Sequence, residues 1–140
     1  MGKAAQLAQI NLQERQTYLL ELRRYFEQKL TGISGVQIFS NSCGRLPNTS
    51  YFSIPYYHGE TLLMQLDQAG FELASGSACH SAVTQPSHVL KAMGVDEALA
   101  LNAVRVSFGS NNTYQQIDQL IALLHSLINQ VPASFRRTAN

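Results

Sequence analysis

The chain has 140 residues, a net charge of +1, and 14% charged against 45% hydrophobic residues. That length suits one domain, able to bury roughly 68% of its unfolded surface without a disulfide or metal; the balanced charge gives no electrostatic case for nucleic acid or an acidic membrane. No apolar run reaches about 18 residues and no signal-peptide pattern opens the sequence, so a cytoplasmic protein is expected, with Cys43 and Cys79 kept as thiols.

Residues 1–3 read as a tail. From Ala4 to Leu30 there is no Gly or Pro, and Ala, Gln, Leu, Glu and Arg dominate, so one long helix is predicted over 4–31. Leu12, Leu19, Leu22, Phe26 and Leu30 give it an apolar stripe, weaker over Ala4 to Asn11. Gly32 and Gly35 end it. A long first helix with so little lead-in is ordinary for the connecting helix of a larger protein.

Val36 to Ser40 is a short strand candidate, and Asn41 to Pro47 a loop. Thr49 to Ile54 alternates Thr, Tyr and Ser with Phe and Ile, and reads as a strand closed by Pro55. Gly59 and Glu60 open a helix carrying Leu62, Leu63 and Leu66, ended by Gly70. Phe71 to Ala74 is a short strand leading into a segment made mostly of Ala, Ser and Gly. Pro86 and Ser87 start a short helix with Val89, Leu90 and Met93 inward, and Gly94 stops it. Asp96 to Leu101 is another helical turn. Ala103 to Phe108 is a half-exposed strand with Val104, Val106 and Phe108 on one face and Arg105 and Ser107 on the other. Thr113 and Gln116 fit a capping box before a final helix to about Gln130. Its apolar face is Ile117, Leu120, Ile121, Leu124, Leu127 and Ile128.

The order predicts an α+β fold. A small, mostly antiparallel sheet of three or four strands carries helices on one face, with a long N-terminal and a C-terminal helix. The domain covers 1–130, and 131–140, with Pro132, Arg136 and Arg137, is a tail. Ordinary domains carry about 25% charged residues. The sparse charge here implies that part of the surface is covered by another domain or subunit.

The candidate chemistry centres on Ser75, Gly76, Ser77, Ala78, Cys79, His80 and Ser81. A free Cys is often a small buried hydrophobe. Here the small neighbours and the lack of an apolar stripe favour a displayed thiol. His80 is adjacent, but sequence neighbours point different ways, so it is not an assured base. Cys79, His80 and His88 match no structural zinc spacing, and no metal site is expected. Cys43 sits in a Gly/Asn/Pro loop and is read as incidental. Arg105 is either a solvated surface Arg or a bidentate carboxylate clamp. His58 is read as a residue leading into a helix, His88 as partly packed, and His125 as structural or exposed.

Ser75-Gly-Ser-Ala-Cys79-x-Ser81, followed by Pro86-Ser-His-Val-Leu-x-Ala-Met-Gly94, strongly resembles the cysteine desulfurases. These are pyridoxal-phosphate enzymes of the class-V aminotransferase group, here the subgroup serving iron–sulfur cluster assembly. The match continues through Val104-Arg105-Val-Ser107-Phe-Gly109, Asn112-Thr113 and Ile117-Asp118, and upstream through Leu46-Pro-Asn48 and Gly59-Glu60-Thr-Leu62. The resemblance implies the small, C-terminal domain of a fold-type-I pyridoxal-phosphate enzyme. It implies Cys79 as nucleophile and sulfur carrier, turning L-cysteine into L-alanine plus an enzyme persulfide. It gives Arg105 the substrate carboxylate and makes residues 75–81 the active-site loop. The implied partners are a large cofactor-bearing domain and a sulfur-acceptor or scaffold protein. Exposure of apolar helix faces would also permit a homo-oligomer.

The family anchors its cofactor on a lysine in a Ser-x-His-Lys setting. Lys3, Lys29 and Lys91 have no such setting, so pyridoxal phosphate is not expected to bind this chain covalently. The chain alone is then expected to be inactive, as a piece of a desulfurase. The alternatives are a stand-alone sulfur-carrier module and a remnant that merely folds. Ser110 stands where the family usually has Arg, and His80 where it often has Thr.

Overall fold

A computed structural model describes residues 2–54, 57–75 and 85–131. In chain order the elements are α1 (Gly2–Ile10), α2 (Leu12–Leu30), β1 (Gln37–Ile38), β2 (Thr49–Ser53), α3 (Gly59–Gln68), β3 (Ala74–Ser75), α4 (His88–Ala92), α5 (Glu97–Leu101), β4 (Ala103–Ser107) and α6 (Tyr114–Gln130). The helix expected over 4–31 is therefore two helices. Asn11, at φ −101° and ψ 11°, breaks it, although the Asn11 carbonyl still accepts from the Arg15 amide at 3.0 Å. Asn is a weak helix former that competes for backbone hydrogen bonds. No residue of α1 is buried, so no packing overrides that weakness. The stripe on α2 is buried at Leu19, Leu22, Phe26 and Leu30, whereas Leu12, beside the break, is 42% exposed.

The strands form one antiparallel sheet in the order β1-β2-β4-β3. Side chains alternate across a strand. Phe52, Ile54, Val104, Val106 and Phe108 thus share one face and meet α2, α3 and α6 in the main core. Phe26 stands at its centre, with ring centroids 5.6 Å from both Phe52 and Phe108. The expected α+β layer is present.

On the other face, Leu90 of α4 and Ala100 of α5 pack on Phe39 and Ala103, with Tyr51 and Val95 beside them. The short helices thus add a small cover opposite the long ones. Val89 and Met93, expected inward, are 52% and 51% exposed. A helix of five residues has one inward position to offer, and Leu90 takes it. Gly59 lets α3 start hard against α5: a Cβ there would lie 2.9 Å from the Leu101 carbonyl oxygen.

One strand is shorter than expected and another is displaced. β1 is shorter than Val36–Ser40 because Ser40, at φ 56°, turns the chain out of the sheet. β3 is Ala74–Ser75 rather than Phe71–Ala74. The residues before it run past β4 without strand pairing, leaving a cleft of about 370 Å³ between Phe71, Leu73, Phe108 and Ile117. Glu72 is the titratable residue in its lining. No helix among the described residues is long and apolar enough to cross a membrane.

The start of α6 is fixed as the sequence predicts. Thr113 and Gln116 form a reciprocal capping box, and the Asn112 side chain accepts from the Gly109 amide at 2.7 Å. Across the surface the Asp118 carboxylate accepts from Lys29 at 3.0 Å and from the Tyr25 hydroxyl at 2.9 Å, tying α6 to α2. These hydrogen bonds, that from Lys29 first, hold Asp118 below its ordinary aspartate pKa. The folded value is the depressed one, so this tie is complete above the unfolded pKa and is lost as pH falls through the folded one. In an NMR titration Asp118 should titrate below an ordinary aspartate, and Lys29→Met should move it back up. An unchanged value in the variant would remove the lysine from the account.

Candidate functional site

Arg105 lies midway along β4, on the face away from the main core, and is exposed. The alternation Ala103-Val104-Arg105-Val106-Ser107 puts it there, since Val104 and Val106 must take the buried face. Across the ladder its partners are Tyr51 on β2 and Ala74 on β3. No aspartate or glutamate pairs with it among the described residues. The contrast is Arg45, whose guanidinium is held at 2.7 and 3.0 Å by the two oxygens of Glu27. Among the described residues Arg105 is thus an exposed guanidinium that no acid claims.

Ser75 is half-buried and pairs with Val104, so the chain leaves β3 one residue beyond Arg105's neighbour Ala74. Gly76, Ser77, Ala78, Cys79, His80 and Ser81 lie outside the described residues, and so do 132–140 of the expected tail. The chain is described again shortly before Ser87. Ser87 is buried, caps α4, and accepts from the Leu90 amide at 3.4 Å. The strand register therefore brings Arg105 together with the residues that lead into the Cys79 segment.

The remaining candidates stand apart. His58 precedes α3 as its N-cap without a side-chain cap bond. His88, expected to be partly packed, is exposed at the first position of α4, and His125 is exposed on α6. Cys43 is an exposed free thiol. Among the described residues no cluster of three His, Cys, Asp or Glu could hold a metal. Tyr51 escapes a sequence reading. In sequence it is one aromatic in an alternating strand, and only the pairing of β2 with β4 sets it opposite Arg105.

The lysines do not suit a Schiff base with pyridoxal phosphate. Lys29 is spent on Asp118 and lies 4.8 Å from the centre of the Tyr25 ring. Lys91 faces Glu97 at 3.8 Å, and Lys3 is on α1, which buries nothing.

The profile of the aminotransferase class-V family matches residues 1–120. The chain belongs to that family. Among its relatives in it are cysteine desulfurases. It is 36% identical over 132 residues to the cysteine desulfurase IscS of Dictyoglomus turgidum, covering 94% of this chain and 34% of that one. It is 36% identical over 129 residues to a cysteine desulfurase of Gluconacetobacter diazotrophicus, covering 91% and 32%. Its fold matches a NifS-like protein of Rickettsia africae with a TM-score of 0.80 and 30% identity, over 91% of this chain and 33% of that one. The chain thus spans about a third of the length of these class-V relatives.

Proposed function

We propose that this class-V domain is the sulfur-accepting and carboxylate-binding part of a cysteine desulfurase, which turns L-cysteine into L-alanine and an enzyme persulfide for iron–sulfur clusters or thio-cofactors. The observation that carries the reading is Arg105: an exposed guanidinium, unpaired with any acid among the described residues, set on the sheet beside the residues that lead to Cys79. Arg105 would take the substrate carboxylate through two parallel N–H donors. The Cys79 thiolate would attack the substrate sulfur. A new S–S bond forms, the carbon–sulfur bond breaks, and its electron pair goes to carbon, which then takes a proton to give alanine. That electron pair needs a sink. Pyridoxal phosphate supplies one when bound; Lys29 and Lys91 face acids and Lys3 lies on α1, which supports an anchor outside this chain. The cofactor would come with a large domain, for which the uncovered Leu7 and Ile10 of α1 offer an apolar surface.

A second reading is favoured by the same lysines: a carrier that takes sulfur already activated elsewhere. The Cys79 thiolate would attack the outer sulfur of a donor persulfide, forming one S–S bond while the donor thiolate leaves. Both readings require sulfur on Cys79. Incubated with an intact cysteine desulfurase and sulfur-labelled cysteine, the chain should acquire label that thiol reductants remove. Cys79→Ala should abolish it and Cys43→Ala should not. Label on Cys43 alone, or none, would overturn both. Sustained alanine formation by this chain alone, given cysteine and pyridoxal phosphate, would overturn the claim that it needs a large domain.

A further inference from the structure

Arg105 shares its row on the sheet with two unlike neighbours. Tyr51 of β2 stands opposite it on one side and Ala74 of β3 on the other. Among the described residues the aromatic ring bounds the β2 side, while on the β3 side Ala74 offers only a methyl. The Tyr51 ring is itself pinned. Phe39 meets it edge-on at 5.4 Å, and it packs against the cluster of Leu90, Ala100 and Ala103.

The Tyr51 hydroxyl is the unusual group. Its oxygen is buried, and among the described residues no partner meets it in good hydrogen-bond geometry. Most buried hydroxyls are paired, because an unpaired one costs stability. Two polar groups are close enough to act on it, the Ser87 hydroxyl and the Arg105 guanidinium. Burial raises the phenol pKa above its ordinary value, and Ser87 and Arg105 oppose that rise without cancelling it. The group is therefore a neutral O–H at physiological pH, fixed in place and able both to donate and to accept.

We propose that Tyr51 is a positioning residue for Arg105, its pinned and unpaired hydroxyl lying opposite the guanidinium across the β2–β4 register. The proposal rests on the reading of Arg105 as a carboxylate clamp. An exposed Arg loses much rotamer freedom when it grips a ligand. A guanidinium has five donors, and a bidentate carboxylate uses two. One of the others can point at the Tyr51 oxygen, while the Tyr51 proton turns to Ser87. The fork of the guanidinium then faces the Ala74 side, and the hydroxyl gains the partners it lacks.

The test is an NMR titration of the 140-residue chain with L-alanine, following the Arg105 Nε–H signal. L-alaninamide, which has no carboxylate, is the control. The wild type should bind L-alanine saturably and Arg105→Ala should not. Tyr51→Phe keeps the ring and its packing but removes the hydroxyl. It should weaken binding about fivefold, the worth of one net hydrogen bond, and speed exchange of the Arg105 Nε–H in the bound state. Its thermal midpoint should be unchanged or raised, since an unpaired buried group has gone. Equal affinity in Tyr51→Phe and wild type, whether or not the midpoint falls, overturns the role of Tyr51 and leaves the clamp standing. No saturable binding of L-alanine to the wild type overturns the clamp, and this proposal with it.

Discussion

Glu27→Gln should cost about 3 kcal/mol or more of folding stability, the largest single loss expected from a polar substitution here. The Glu27 carboxylate is buried on α2 and accepts from both terminal nitrogens of Arg45, at 2.7 and 3.0 Å, and from the Ser50 hydroxyl at 2.7 Å. Arg23, also buried, lies beside the pair and donates to the Leu46 carbonyl at 2.7 Å. Burial, and then the Arg45 charge, depresses the Arg23 pKa. The cluster holds two cations and one anion, so the carboxylate compensates more than its own partner. Removing its charge leaves two largely buried guanidinium charges without a countercharge, and stranding one partner of a buried pair typically costs about 3–5 kcal/mol. Set against a total stability of about 5–15 kcal/mol, that would leave the domain barely folded. Urea unfolding of wild type and variant measures it. The double change Glu27→Leu with Arg45→Met should recover much of the loss, because it removes charge and countercharge together. A loss below about 1 kcal/mol in Glu27→Gln would place the cluster among surface ion pairs.

Phe26→Ala should cost about 3–5 kcal/mol by emptying the centre of the core. Phe26 is fully buried, and its ring bridges Phe52 of β2 and Phe108 just after β4. It joins α2 to both central strands at once. The cavity cannot close by moving one side chain, because its walls belong to three chain segments whose backbones are fixed by the sheet and by α6. Phe26→Leu should lose much less, about 1–1.5 kcal/mol. Denaturant unfolding separates the two variants. Similar losses from both would mean that the ring contacts contribute little beyond filling space.

The parts legible in sequence were those written locally. The capping box at Thr113 and Gln116 is spelled in four residues, and the apolar face of α6 repeats over 17. The alternation in β4 placed Arg105 on the outer face before any fold was known. What sequence did not carry depends on distant chain. Glu27 reads as an ordinary polar helix residue, and its partner Arg45 lies 18 residues away on a loop. The exposure of Val89 and Met93 follows from where α4 lands on the sheet, not from its own pattern. Tyr51 joined the candidate site only through strand register, which propensity does not set.

The break at Asn11 also divides the chain into tiers of protection. Everything from Leu19 onward on α2 is tied to the sheet by buried side chains, so its amides are released to solvent only when the core opens. α1 spans 9 residues and buries none of them. Isolated helices shorter than about 12 residues are marginal in water, so α1 can fray and re-form without disturbing a single core contact. A partner lying against Leu7 and Ile10 would decide its order, and its binding would be read out as helix formation rather than as movement of the domain.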